Sequence, residues 1–293
     1  MGLRRRTTTP VGADPGTVLR LAVLLQAGVA PADAWRYLAR AGDAAAAVVA
    51  ARIADAADVP AAIGALPGWA DVAAAWRIAE TVGAPLADSL RGIASALQDA
   101  ARTRDEVRVA LAEPAGTARL MAWLPLVAVA LGALLGFDTL RTLVVNPIGI
   151  GCGVAGVALI LMARQWNALL VRRADPDETV AGLSADLMAI ALSGGVSLER
   201  AERIVIDAGA GPPDDETHAI LTLSQSAGVP AAELLRAAST LARHRARTDG
   251  RLRAARLSSK LLVPLGVCTL PAFLLLGVAP MLLSVLSTTP LSL

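Results

Sequence analysis

Charged and apolar positions divide the sequence into two kinds of segment. Three long stretches contain no charged side chain, and the segments between them are amphipathic; the uncharged stretches are 120–137, 142–163 and 261–286. A helix needs about 20 apolar residues to cross a bilayer. We therefore predict three transmembrane helices, the first of which is the shortest, with 138–141 forming a tight hairpin between the first two.

The placement of basic residues predicts how the chain is oriented. They are concentrated before the first stretch, after the second and before the third: Arg102, Arg104, Arg108 and Arg119; Arg164, Arg172 and Arg173; Arg243, Arg245, Arg247, Arg251, Arg253, Arg256 and Lys260. On the opposite side, Arg141 is the only basic residue. The positive-inside rule then predicts a multi-pass protein of the cytoplasmic membrane, with the N-terminus and both polar regions in the cytoplasm and the C-terminus outside.

Both polar regions carry the same signals for helix starts and helix ends. Aspartate followed by proline is typical of an N-cap and first helical residue, and glycine is typical of a helix C-terminus. No segment alternates between apolar and polar residues as a strand would. The predicted starts are Asp14-Pro15 and Asp175-Pro176, the ends are Gly28 and Gly195, and second amphipathic helices are expected at 31–40 and 198–206.

A glycine–proline turn follows in each region, at Gly83-Ala84-Pro85 and at Gly228-Val229-Pro230. Glycine ends one helix and proline starts the next, which predicts a helical hairpin. A long helix rich in arginine then leads toward a predicted span. Each polar region is therefore predicted to be a small antiparallel helical bundle, and the two bundles are predicted to be internal repeats in an all-α membrane protein.

The two predicted repeats differ in length. The first contains an additional segment at 43–67, whereas the second has only the loop 209–213 at the corresponding place. If both bundles need the same number of helices, the second must pack against the first or against a neighbouring subunit. The predicted domains are 1–118 (first cytoplasmic bundle), 119–163 (transmembrane hairpin), 164–260 (second, shortened bundle) and 261–293 (third transmembrane helix and short external tail).

Composition and motif content argue against nucleic-acid binding and catalysis. The net charge is only +2 and aromatic residues make up 3% of the chain, too few for base-stacking surfaces. The basic cluster at 243–260 is better interpreted as a juxtamembrane topology determinant in contact with anionic lipid than as a nucleic-acid patch. Cys152 and Cys268 lie in apolar runs, and no phosphate-binding loop surrounds Lys260. We expect no enzymatic activity, cofactor or metal site.

Four features in order resemble the F-domain family of type II secretion, which includes pilus platform proteins and the membrane-protein pair of Tad systems. They are the Leu-Leu-x-Ala-Gly turn at 24–28, the Glu-x-x-Gly-x-x-Leu-x-x-x-Leu run at 80–90, the long charged helix, and Glu113-Pro114 before the first span. The second half repeats three of them loosely. Gln225 stands where the first copy has Glu80. The compact form is similar to the Tad-type platform proteins of high-GC Gram-positive bacteria.

The resemblance implies a non-enzymatic inner-membrane platform that couples a cytoplasmic secretion ATPase to pilin assembly. Expected partners are that ATPase, pilin-like subunits, the lipid bilayer, and a second platform protein or another copy of this chain. The alternative is an oligomeric transporter or a membrane scaffold unrelated to pili. Candidate partner-binding residues near the two hairpin turns are Glu80, Asp88, Arg91, Glu233 and Arg236; alternatively these side chains are solvated or paired within the domain, each pair worth less than about 1 kcal/mol.

Overall fold

The computed structural model describes residues 12–134, 145, 147–173, 180–280 and 282. These ranges contain helices and turns and no strand, which confirms the predicted all-α class. The helices are α1 Pro15–Gln26, α2 Pro31–Arg40, α3 Ala44–Ala54, α4 Val59–Gly64, α5 Ala70–Val82, α6 Leu86–Leu134, α7 Pro147–Arg173, α8 Leu183–Ser193, α9 Leu198–Val205, α10 Asp215–Ala227, α11 Ala231–Pro264 and α12 Leu270–Phe273. Wider π-helical turns lie at Leu265–Thr269 and Leu274–Val278, whereas the segment Ile206–Ala210 after α9 is kinked at a left-handed Gly209.

Helix ends fall where the capping residues predict them. The Asp14 carboxylate accepts a hydrogen bond from the Thr17 amide at 2.9 Å, which satisfies one of the open N–H groups at the start of α1. The predicted second helices at 31–40 and 198–206 correspond to α2 and α9, to within one residue. The predicted start at Asp175-Pro176 lies outside the described residues, and α8 begins at Leu183 after a left-handed Gly182.

The chain divides into two compact units, of which the first combines Met1–Thr103 with Glu178–Arg247. Its described residues share one hydrophobic core, to which the first half contributes Trp35 and Trp76 and the second half Leu187 and Met188. Helix α5 packs against α4 from its own half and against α8 from the other. Of the two packing arrangements left open by the sequence, the structure therefore has the second half packed on the first.

The additional segment of the first half forms α3 and α4. The Asp43 carboxylate accepts a hydrogen bond from the Ala46 amide at 3.0 Å and so caps α3. Helix α3 packs on α2, and α4 packs on α5. The additional segment at 43–67 thus covers part of the first-half core, and the much shorter connection at 206–214 in the second half has no such helices.

The second compact unit combines Arg104–Asp177 with Thr248–Leu293. Within its described part, α7 packs against α12 and the two π-helical turns beside it. One described helical segment, Pro147–Leu170, is long and apolar enough to cross a bilayer, and it overlaps the predicted second span. Residues 135–144 and 283–293, which include the predicted hairpin and parts of the first and third spans, lie outside the described residues. The three spans and the predicted domain limits therefore stay predictions.

Candidate functional site

A polar cleft of about 590 Å³ opens within the first unit, between the start of α6, helix α8 and the first turns of α11. It brings together two of the predicted residues from different halves of the sequence, Asp88 and Arg236. The glycine–proline turns at Gly83–Pro85 and Gly228–Pro230 begin the two helices that carry these residues. Hence helices that begin at two hairpin turns, 145 residues apart, contribute to one cleft.

Arg243 joins three helices at the inner end of the cleft. Its Nη1 donates to Asp186 Oδ2 of α8 at 2.7 Å, and its Nε lies 3.4 Å from Asp99 Oδ2 of α6. The side chains of Asp186 and Arg243 are only 12% and 14% exposed, so this pair is largely removed from water. A largely buried pair with additional hydrogen bonds is sensitive to loss of either partner, because the remaining charge would be left uncompensated.

Burial raises the pKa of the Asp186 carboxyl above its ordinary value. The hydrogen bonds from Ser239 and Arg243 and the positive charges of Arg243 and Arg236 act in the opposite direction, but they do not cancel the loss of hydration. The net effect of the site is thus to favour the protonated form of the Asp186 carboxyl relative to its ordinary balance.

Hydroxyl groups supply most of the remaining polar lining. Ser89 donates to the Pro85 carbonyl at 2.9 Å, Ser193 to the Ile190 carbonyl at 2.7 Å, and Ser239 to the Arg236 carbonyl at 2.9 Å. Because the Ser89 and Ser193 protons are directed back to their own helices, the oxygens of these two side chains present acceptor lone pairs elsewhere. The Ser239 hydroxyl is also within hydrogen-bond reach of the Asp186 carboxylate. The cleft thus presents carboxylate and hydroxyl oxygens as hydrogen-bond acceptors beside the guanidinium groups of Arg236 and Arg243.

The predicted partner-binding residues are paired near their own positions. Arg91 Nη1 lies 3.1 Å from Asp88 Oδ1, and Arg91 also hydrogen-bonds Gln26 of α1. Arg236 Nη1 lies 2.5 Å from Glu233 Oε1. Glu80 is exposed near the end of α5. These are exposed pairs with an i,i+3 spacing, each of which contributes little to stability.

Sequence reasoning missed the role of Asp186 and placed Arg243 among the topology determinants only. Asp186 lies in the first turn of an otherwise apolar helix, where a carboxylate also suits the helix dipole. The one signal in the sequence was its position between two apolar residues, Ala185 and Leu187. Both of these residues are buried in the structure. Its partner, 57 residues away, could not be identified from spacing.

A smaller pocket of about 140 Å³ lies between α1 and α6. Its lining includes Leu19, Arg91, Ala94, Ser95 and Gln98. The described residues contain no group of three or more side chains able to hold a metal ion.

The described residues thus form an all-helical structure with one membrane-span candidate and a polar cleft. Residues 18–133 match the family described as type II secretion system (T2SS), protein F. The segment 18–133 is therefore similar to the type II secretion protein F family, the family that the sequence resemblance predicted. Proteins of that family are known as non-enzymatic membrane platform proteins, typically of the inner membrane. The match runs from α1 to the end of α6. No curated protein and no solved structure matches the chain.

Proposed function

We propose that this protein is the membrane platform of a type II secretion or type IV/Tad-like pilus machine, which couples a cytoplasmic ATPase to pilin assembly. The family match at 18–133 is the observation that carries the proposal. Helices α6 and α11 support it, since each carries a cleft-lining first turn and continues as a long helix to Leu134 and to Pro264. Force applied at the hairpin turns would act directly on these two helices.

The proposal includes the predicted repeat. Gly83 and Gly228 end α5 and α10 with nearly the same backbone angles, φ 71° and ψ 25° against φ 67° and ψ 27°. Gly28 and Gly195 likewise have φ of 84° and 76° after α1 and α8. Aligning these turns pairs Leu19 with Asp186, Arg91 with Arg236, and Gln98 with Arg243. The first member of each pair lines the small pocket, and the second lines the polar cleft.

It also includes three transmembrane spans, with both polar regions in the cytoplasm and the C-terminus outside. The arginine distribution and the apolar segment Pro147–Leu170 support this topology. In this orientation the polar cleft faces the compartment that contains the ATPase. The lipid bilayer and pilin-like subunits would contact the spans.

The partner surface of the platform comprises the exposed pairs at the two hairpin turns together with Glu80. Two exposed ion pairs form part of this surface, each within one helix: Asp88 with Arg91, and Glu233 with Arg236. Such exposed pairs orient the side chains but contribute little to the stability of the fold. A partner with alternating charge can replace such exposed pairs without leaving a buried charge behind.

The proposal is tested with full-length tagged protein recovered from native membranes in mild detergent, followed by mass spectrometry of bound proteins. Co-purification of a secretion-type ATPase and small pilin-like proteins is expected. Recovery of a monodisperse protein with neither partner would overturn the proposal and favour a transporter or scaffold.

The residues are tested with the double variant Arg91→Glu, Arg236→Glu. Loss of ATPase recovery and of pilus assembly, with unchanged membrane levels of the protein, is expected. Arg36→Glu is the matched control, because Arg36 also forms an exposed i,i+3 pair, with Asp33, but lies on α2. If the double variant behaves like Arg36→Glu, these residues are not the partner surface.

A further inference from the structure

The two halves of the first unit meet through two distinct surfaces. The hairpin face belongs to α5 and α6 and includes Ile78, Val82 and Asp88; the insertion face belongs to α8 and α11 and includes Ile190, Gly194 and Arg236. Gly194 approaches α5 so closely that an added Cβ would lie 2.4 Å from the Val82 carbonyl oxygen. Asp88 and Arg236 line the cleft between the two faces.

The counterpart of the hairpin face in the second half is uncovered. In the repeat alignment Leu223 of α10 corresponds to Ile78 of α5, but Leu223 is 54% exposed whereas Ile78 is fully buried. The Arg245–Glu216 ion pair, at 3.0 Å, sets α10 beside α11 and places Leu241 one turn from Arg245 on the same side. Leu241 is also exposed. An apolar hairpin face is therefore open to solvent.

The counterpart of the insertion face in the first half is uncovered as well. Val23 of α1 corresponds to Ile190 of α8, and Val23 is 52% exposed whereas Ile190 is 8% exposed. Leu19, one turn earlier, is exposed on the same side of α1. Each half of the chain thus exposes the surface that the other half uses in the internal contact.

The charges of the two open faces are complementary in the same sense as those of the internal contact. Asp88 of the hairpin face and Arg236 of the insertion face border one cleft. Their counterparts are Glu233 on the open hairpin face and Arg91 on the open insertion face, again a carboxylate and a guanidinium, both solvent-accessible. Opposite charges across a contact favour one partner orientation over others.

We propose that a second copy of this chain docks its open insertion face, on α1, against the open hairpin face of the first copy, on α10 and α11. The proposal rests on the internal repeat described under Proposed function, and it does not depend on an ATPase or pilin partner. The contact joins two different surfaces, so successive copies associate head to tail and form either a closed ring or an open chain.

One residue makes the contact between copies looser than the internal one. Ala27 of α1 corresponds to Gly194 of α8, so a Cβ stands where the internal contact has none. On the open hairpin face, the smaller Ala227 stands where the internal contact has Val82. The backbone carbonyl at this position is still present, and in the internal contact it is the atom that an added Cβ would meet first. The two copies must therefore lie farther apart at this point, which suits a reversible association.

The test is disulfide cross-linking of full-length protein in native membranes. Cys152 and Cys268 are first replaced by alanine, and two differently tagged copies are then co-expressed, one with Ala27→Cys and the other with Ala227→Cys. We expect a mixed disulfide dimer containing both tags, and a ladder of larger species when one chain carries both cysteines. Neither single variant is expected to cross-link to itself, because the contact is head to tail.

Absence of the mixed dimer under oxidation, with both variants inserted and folded, would overturn the proposal. Val48→Cys paired with Ala227→Cys is the control, since Val48 is exposed on α3, which carries neither face. Equal cross-linking of this pair would mean nonspecific collision.

A charge swap gives a second measurement. Glu233→Arg and Arg91→Glu should each reduce the mixed dimer severalfold, and combining them in opposite copies should restore it. Restoration of the dimer distinguishes this contact from the proposed ATPase surface, because a charge swap between two copies would not restore binding of a third protein.

The outcomes separate this inference from the platform function. Cross-linking without recovery of an ATPase would support self-association and remove the platform proposal. Recovery of an ATPase and pilin-like proteins without cross-linking would leave the platform intact and show that the open faces are covered by something other than a second copy.

Discussion

Arg243 Nη1 lies 2.7 Å from Asp186 Oδ2, and this ion pair links α11 to α8 at the inner end of the polar cleft. Asp99 of α6 approaches the same guanidinium at 3.4 Å. One arginine therefore connects helices from both halves of the sequence. The cleft depends on this connection because its walls are the three helices that Arg243 joins.

Replacing Arg243 by alanine should destabilise the first unit by about 2–3 kcal/mol, slightly less than the loss of a fully buried ion-pair partner. The reason is that Asp186 would keep its burial and lose its main positive neighbour. The measurement is the thermal unfolding midpoint in detergent by circular dichroism. Arg36→Ala, at an exposed pair, should shift the midpoint far less; equal shifts would contradict a special role for Arg243.

Asp186 should also affect the pH dependence of stability. Its pKa is raised in the folded state, so the folded protein holds this proton more tightly than the unfolded chain does. The corresponding contribution to stability is present below the unfolded value of 3.8 and is lost as the pH rises through the folded pKa. Asp186→Asn imitates the protonated carboxyl. As the pH rises from 3.8 through the folded pKa, the variant should therefore lose less stability than wild type.

The measurement for Asp186→Asn is the unfolding midpoint of wild type and variant at a series of pH values starting below 4. Asp33→Asn controls for the loss of any carboxylate, since Asp33 lies in an exposed pair. A wild type that gains stability relative to Asp186→Asn as the pH rises would show that the charged form is favoured instead.

Gly182 should tolerate a side chain less well than Gly195, although both have left-handed backbone angles, φ 75° and 76°. An added Cβ at Gly182 would lie 2.7 Å from the Ser239 carbonyl oxygen, whereas one at Gly195 would meet nothing within 4 Å. Gly195→Ala should cost about 1–2 kcal/mol from backbone strain, and Gly182→Ala about 1–3 kcal/mol more from overpacking. Comparable unfolding midpoints would refute the close packing of α8 on α11.

The orientation in the membrane can be measured with reporter fusions. Alkaline phosphatase, which is active only outside the cytoplasm, should be active when fused to the C-terminus and inactive when fused after Arg247. A fluorescent protein that folds in the cytoplasm should give the reverse pattern. Phosphatase activity at Arg247 would contradict the orientation that the arginine distribution predicts.

Local sequence was sufficient for the helices and their ends. Asp14 and Asp214 cap helices because a carboxylate at that position reaches the amide three residues on, at Thr17 and Thr217. Gly83 and Gly228 end helices because glycine adopts left-handed angles without a Cβ clash. The uncharged stretch at 142–163 likewise predicted the apolar helical segment Pro147–Leu170 from composition alone. These properties depend on a few neighbouring residues, so they can be predicted from sequence.

Only the tertiary structure decided which faces meet. The packing of α8 against α5, the pairing of Asp186 with Arg243, and the exposure of Val23 and Leu223 depend on residues far apart in the chain. A helical pattern predicts that an apolar face will be buried, but many partners satisfy that requirement equally well. Which partner is chosen depends on the shape of the surfaces, as at Gly194 and Val82, where the absence of one Cβ allows two backbones to meet.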